Sequence, residues 1–211
     1  MEPEQHARRH SPAAERNGPV ILAELQRLLP PSGLLLEIAS GTGQHAALCA
    51  AGLPGWQWLP SDFDAATLPS ISAWCAGLAN VLLPIRLDVQ AAGWPGVPRP
   101  LDAIYCANMI HIAPWACTAA LMQGAAQRLS PQGLLITYGP YLLDDVETAP
   151  GNLAFDADLR LRNPAWGLRR LPDIAAEAQA VDLALREQLA MPANNRLLVW
   201  GRKRPAALSR S

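Results

Sequence analysis

Four polar residues stand at or just past the ends of apolar runs: Glu37, Asp62, Asp88 and Asn108. Between the first two lies the turn Ser40-Gly41-Thr42-Gly43, and three residues beyond the last is His111. Each type suits a definite task. A carboxylate has several acceptor positions and can take hydrogen bonds from paired hydroxyls, as on a ribose. Glycines let the backbone approach a ligand, and a helix that starts after them offers free N–H groups. An imidazole with its ordinary pKa near ~6.5 can take a proton at neutral pH. Together these residues describe a site for a nucleotide-like cofactor, with a base close to the reacting group.

For such groups to meet, the apolar runs must be neighbouring strands of one sheet. Residues 34–38 form a run that reads as a strand covered on both faces, and 44–49 as the helix after it. Residues 56–60 give a second strand, followed by a helix carrying Ile71, Trp74, Cys75 and Leu78. The third strand spans 80–89, and Pro84 assigns it to a sheet edge. The proline-rich segment 90–100 is a loop. Residues 101–107 form the fourth strand, a helix runs from Pro114 through Leu129, and 133–138 make the fifth strand. At the start, Ser11-Pro12 opens a helix that Gly18-Pro19 should interrupt, leaving a second, core-facing helix through Val20, Ile21, Leu25, Leu28 and Leu29. Periodicity fails over 141–169, which predicts a long ordered loop or short helices, of the kind that often binds ligands. A short helix over 172–180 and an antiparallel pair, 183–189 with 196–202, complete the chain. Polar groups thus gather at the C-terminal ends of strands, where open α/β sheets bind ligands.

Gly41-Thr-Gly43-Gln-His-Ala46 also satisfies the dinucleotide fingerprint, with Asp62 near the offset of a ribose-binding acid. An NAD-dependent oxidoreductase is therefore one reading, although no Tyr-x-x-x-Lys pair follows the fifth strand. Glu37 tips the balance, because Leu36-Glu-Ile-Ala-Ser-Gly-Thr-Gly43 resembles the first motif of class I S-adenosylmethionine (SAM) dependent methyltransferases. Ala39 stands where many members have another glycine, a mild departure if alanine keeps ordinary backbone angles. The chain from Ser11 to Arg202 resembles the uncharacterised methyltransferase-like twenty-six family and its bacterial relatives. The resemblance is carried by Ser11-Pro-Ala-Ala-Glu-Arg-Asn17, Leu36 to His45, Pro60-Ser-Asp62, Cys106 to Trp115, Tyr138-Gly-Pro140 and Met191-Pro-Ala-Asn-Asn195.

That resemblance implies a Rossmann-like α/β fold with a seven-stranded, mostly parallel sheet in the order 3-2-1-4-5-7-6 and helices on both faces. It implies SAM as cofactor and S-adenosylhomocysteine (SAH) as product. Ala39, Ser40, Gly41 and Gly43 would meet the methionine end, supported by Glu37. Asp62 would hold the ribose and Phe63 would pack on adenine. Asp88, followed by Val89, would accept from the adenine amino group, and Ala107 and Asn108 would pass the methyl donor. His111 is the expected catalytic base, or else a structural cap of the next helix. On the acceptor side, Arg16 and Asn17 could close an N-terminal lid, and Tyr138 and Tyr141 could line the pocket or merely pack there. Asn152, Asp156, Arg160, Asn194 and Asn195 are further acceptor contacts, although Asn194-Asn195 also suits a simple turn.

Composition narrows the partners. Half of the 211 residues are hydrophobic and only 17% charged, which suits one globular domain over 11–202, with flexible ends at 1–10 and 203–211. A net charge of −1 supplies no basic field for nucleic acid, and the segment after the fourth strand lacks the Asn/Asp-Pro-Pro-aromatic pattern of enzymes that methylate base amines. Four scattered cysteines predict free buried thiols in a reducing compartment, with no metal site. Nowhere do about 18 apolar residues run together. The expectation is a cytoplasmic monomer or homodimer that methylates O, N or S of a small molecule. The alternative is a SAM-binding interaction protein that does no chemistry.

Overall fold

The computed structural model describes residues 7–203. The flexible ends expected at 1–6 and 204–211 lie outside the described residues. Residues 8–10, expected to be loose, are instead held against the third helix. The Arg8 Nε donates to the Ala73 carbonyl at 2.9 Å, and the Arg9 N–H donates to Ser70 Oγ at 2.8 Å.

Helix α1 (Pro12–Leu28) is unbroken. Ser11 caps it by accepting the Ala14 N–H, and Pro12 occupies the first turn, where its missing N–H costs nothing. The expected interruption at Gly18-Pro19 does not occur. Pro19 removes one hydrogen bond, but Ile21 and Leu25 beyond it are fully buried, and that burial holds the helix together. Gly18 permits close approach of the next helix, since a Cβ there would lie 2.7 Å from Leu48 Cδ2.

The chain then alternates: β1 (Gly33–Ile38), α2 (Gln44–Gly52), β2 (Trp56–Asp62), α3 (Leu68–Cys75), β3 (Ile85–Arg86), β4 (Leu101–Ala107), α4 (Ala116–Arg128) and β5 (Leu129–Gly139). After it come α5 (Pro150–Arg162), α6 (Leu171–Ala180), β6 (Leu183–Met191) and β7 (Asn195–Arg202). The seven strands lie in the order β3-β2-β1-β4-β5-β7-β6, as expected. β1 to β5 are mutually parallel, and β7 runs antiparallel to both β5 and β6.

Two expectations need correction. The third strand shrinks to two residues at the predicted edge, because Pro84 lacks the N–H that a longer ladder requires; Val81 makes only an isolated bridge to Trp58. Over 141–169, where a long ordered loop or short helices were expected, one thirteen-residue helix, α5, fills the middle and buries Leu159.

Successive residues of β1 show why the apolar runs are continuous. Leu36 joins a core with α4 and α6 on one face, and Leu35 joins a core with α1, α2 and α3 on the other, both wholly buried. A parallel sheet covered on both faces leaves no position for a polar side chain until the strand ends. All four cysteines are buried and free, as predicted. No helix among the described residues is long and apolar enough to cross a membrane, and no group of side chains among them could hold a metal ion.

Candidate functional site

The turn after β1 sits at the centre of the site. Gly41 and Gly43 have φ of 58° and 90°, the left-handed region that favours glycine. They serve different ends. A Cβ on Gly43 would fall 2.6 Å from the Ile71 Cα, so this glycine lets α3 pack against the start of α2. A Cβ on Gly41 would meet nothing nearer than 4.0 Å, so its backbone faces open space. Ala39 also adopts φ 56°, contrary to the expectation that it keeps ordinary angles. The turn needs a left-handed residue there, and alanine meets that need at a cost of about 1–2 kcal/mol.

Two acids flank this turn. Asp62, at the end of β2, accepts the Gly41 N–H on Oδ2 at 2.8 Å and the Asp64 N–H on Oδ1 at 2.9 Å. An ionised carboxylate has about four acceptor positions, so two remain for a ligand. Glu37 is buried, and Trp58 Nε1 donates to its Oε2 at 2.8 Å. Burial pushes its carboxyl up to about 7, against hydrogen bonds from Trp58 and Ser40 that favour the charged form. The Ser40 N–H donates to the Ser61 carbonyl at 2.8 Å and ties the turn to β2.

Phe63 is 61% exposed beside Asp62, with the Arg86 guanidinium 5.8 Å from its ring centroid. Since Asp62 pairs with Arg86 in the β2–β3 register, Asp88 lies two residues beyond that pairing, with Val89 buried behind it. Asp88 Oδ1 accepts the Gln90 N–H at 2.9 Å. On the other side of β1, Ala107 pairs with Tyr138, and the Asn108 N–H donates to the Tyr138 carbonyl at 2.8 Å with Asn108 at φ 61°.

Next to these strand ends opens a cleft of about 830 Å³. It brings together Arg16 and Asn17 of α1, Asn108, Tyr138, Asn152 of α5, and Asn194 and Asn195 before β7. Asn195 lines the cleft and also serves the turn, its Nδ2 donating to the Pro192 carbonyl at 3.0 Å. The α1 wall is fastened to the glycine turn: the Ser11 N–H donates to Gln44 Oε1 at 2.6 Å, and Asn17 Oδ1 lies 2.7 Å from His45 Nε2. His45 therefore contacts α1 and Tyr105.

Four residues expected on the acceptor side or as the base lie outside this cleft. Asp156 and Arg160 pair with each other at 2.8 Å, and Asp156 also accepts the Leu168 N–H at 2.7 Å. At about 100° per residue, one helix turns them to the side of Asn152 away from Phe155 and Arg162. Tyr141 is 5% exposed and packs edge-on against His111, with ring centroids 4.8 Å apart. His111 is fully enclosed, and neither ring nitrogen meets a hydrogen-bonding partner among the described residues. Burial lowers its pKa to about 3, assisted by the Arg169 charge, so the ring is neutral at physiological pH.

Residues not anticipated are Phe155 and Arg162 of α5, with Ile112, Pro140, Pro192 and Ala193. Positions 152, 155, 159 and 162 do recur at helical spacing, a signal obscured by the prolines and glycines around it. Among the residues lining the cleft there is no carboxylate, imidazole, thiol or amine.

The buried histidines predict how stability depends on pH. His111 and His45 have native pKa values near 3 and 4, below their ordinary 6.5, so between those limits the unfolded chain binds two more protons and stability falls as pH drops. Glu37, raised to about 7, works oppositely from pH 7 down to 4.5. Urea midpoints should therefore fall gently from pH 6.5 to 4.5, steeply along a lower limb from 4.5 to about 4, and less steeply from there to 3. In His111→Gln the lower limb should lose about half its slope, and an unchanged slope would show that His111 does not titrate this way.

The order β3-β2-β1-β4-β5-β7-β6, with β7 antiparallel and the glycine turn at the end of the central β1, is the class I methyltransferase fold. It differs from the 3-2-1-4-5-6 order of dinucleotide-binding sheets. Over residues 8–202 the chain belongs to the family described as Protein of unknown function (DUF938). Among solved structures it is similar to the mitomycin 7-O-methyltransferase MmcR, with a TM-score of 0.77 at 14% identity over 90% of this chain and 54% of that one. It is also similar to human N-acetylserotonin methyltransferase in complex with SAM, with a TM-score of 0.72 at 13% identity over 91% and 53%. A third is an O-methyltransferase family 2 protein from Planctomyces limnophilus in complex with apigenin, with a TM-score of 0.67 at 16% identity over 88% and 62%. The likeness is one of fold, and the chain spans little more than half the length of the structures it matches.

Proposed function

We propose that this protein is a SAM-dependent methyltransferase acting on an O, N or S nucleophile of a small molecule, in line with its resemblance to the methyltransferase-like twenty-six group. One observation carries the reading: within this sheet order, the Gly41 turn, Asp62, Asp88 and Asn108 stand at or just past the ends of neighbouring strands, and Asn108 also lines the cleft between α1 and α5. The residues fit the cofactor, since Gly41 faces open space, Asp62 keeps two acceptor positions and Phe63 is exposed beside it.

In this reading the Gly41 and Gly43 turn receives the methionine end, and Asp62 accepts from the ribose hydroxyls. Phe63 covers one face of adenine, and Asp88 with Val89 takes its edge. Bound there, the sulfonium supplies a methyl group whose transfer breaks the carbon–sulfur bond and leaves the electron pair on sulfur. Ala107 and Asn108 bring the backbone past that methyl, while Tyr138, Asn17 and the α5 wall hold the acceptor in line. His111 supports the strand ends through its contact with Tyr141 instead of taking the proton, and the nucleophile releases its proton to solvent.

The absence of an acid or base on the cleft wall favours a second reading, a SAM-binding protein without turnover. Calorimetric titration with SAH and separately with NADH tests the cofactor, and binding of NADH alone sinks the proposal. SAH release from SAM in the presence of acceptors then separates enzyme from binding module.

A further inference from the structure

Charge is distributed unevenly along the acceptor cleft. Arg16 of α1 and Arg162 of α5 line it, and no aspartate or glutamate does. Arg16 is exposed and makes no ion pair among the described residues. Arg162 has one acidic neighbour, Asp158, at a long 3.8 Å with both side chains about 60% exposed, and its guanidinium lies 5.4 Å from the Trp166 ring centroid, which orients it. Two arginines close to Arg162 in sequence are paired at shorter range: Arg160 by Asp156 at 2.8 Å and Arg170 by Asp144 at 2.8 Å. With a net charge of −1, a cleft lined by two guanidiniums and no carboxylate runs against the overall balance. The first turn of α5, at Gly151 and Asn152, adds the positive end of a helix dipole to the same wall. The rest of the lining is largely apolar, with Val20, Ile112, Pro140 and Phe155, and its asparagine amides can donate hydrogen bonds but supply no charge.

Resting on the methyltransferase reading, we infer that the acceptor is an apolar molecule bearing an anionic group, a carboxylate or a phosphate, which Arg16 and Arg162 hold. The guanidinium forks match either anion, and the apolar wall takes the body of the molecule. Selectivity follows, because a neutral analogue of the same shape forgoes the charge-assisted hydrogen bonds that both guanidiniums offer an anion.

The test loads the protein with SAH and titrates it calorimetrically with phenylacetate, phenyl phosphate and the neutral phenylacetamide. At least one anion should bind about tenfold or more tighter than the amide. The preferred anion identifies the head group. Arg16→Gln and Arg162→Gln should each remove most of that preference while the SAH affinity stays as in the unaltered protein. Equal binding of all three probes, no binding at millimolar concentration, or a preference intact in both variants overturns the assignment. Failure of SAH itself to bind is a separate result, which removes the methyltransferase reading and the acceptor assignment with it.

Discussion

Asp62→Ala should weaken SAH binding on the order of a hundredfold or more while the protein remains folded. Asp62 is the one carboxylate that both braces the glycine turn, through the Gly41 N–H, and keeps free acceptor positions at a strand end. Hydrogen bonds to an ionised group contribute about 1.5–3 kcal/mol each, so losing two of them removes about 3–6 kcal/mol of binding. The fold survives because the Gly41 and Asp64 N–H groups stand at the mouth of the site, where water can replace the carboxylate. Asp62→Asn separates the two functions, since its amide oxygen can still accept from the turn but it cannot accept from two hydroxyls at once. Calorimetry gives the affinities, and near-UV circular dichroism checks the fold. An affinity within a few-fold of the unaltered protein would remove Asp62 from the cofactor site.

Gly43→Ala should lower stability by about 2–5 kcal/mol and the thermal midpoint by on the order of 10 °C. The left-handed φ of 90° costs an alanine about 1–2 kcal/mol, and overpacking costs about 1–3 kcal/mol more. The second cost is hard to relieve because the new methyl meets backbone, the Ile71 Cα at 2.6 Å, in the middle of α3. Gly41→Ala is the control from the same turn. It carries only the φ cost, about 1–2 kcal/mol, and should cost ligand affinity instead, because its methyl enters the open side. Should Gly43→Ala melt like the unaltered protein, the close packing of α3 on this turn is wrong.

The sheet was legible in the sequence because its strands are buried on both faces. Runs such as 34–38 and 101–107 are apolar at consecutive positions, and each ends at a polar residue or glycine where the covering helices stop. The partners of the central groups were legible for the same reason: a strand end has one location in a parallel sheet, so Glu37, Asp62 and Asn108 had to collect around the turn at Gly41. Spacing also placed Pro84 at the edge, although it overstated the strand, since a missing N–H limits pairing as well as position.

What only the tertiary structure decided depends on contacts between segments far apart in the chain. Local rules broke α1 at Gly18-Pro19, yet burial of Ile21 and Leu25 and the close approach of Leu48 to Gly18 outweigh one lost hydrogen bond. Ala39 gave no local sign of its left-handed angle, which the bond from Ser40 to Ser61 and the packing of α3 impose. His111 reads as a reactive group by type and position, and it is the ring of Tyr141 and the Gly167 turn, thirty residues and more than fifty residues along, that enclose it. The same holds for the cleft: the residue types announced a polar site, but which face of α5 looks inward, setting Arg162 toward the cleft and Asp156 and Arg160 away from it, follows from where Leu159 is buried.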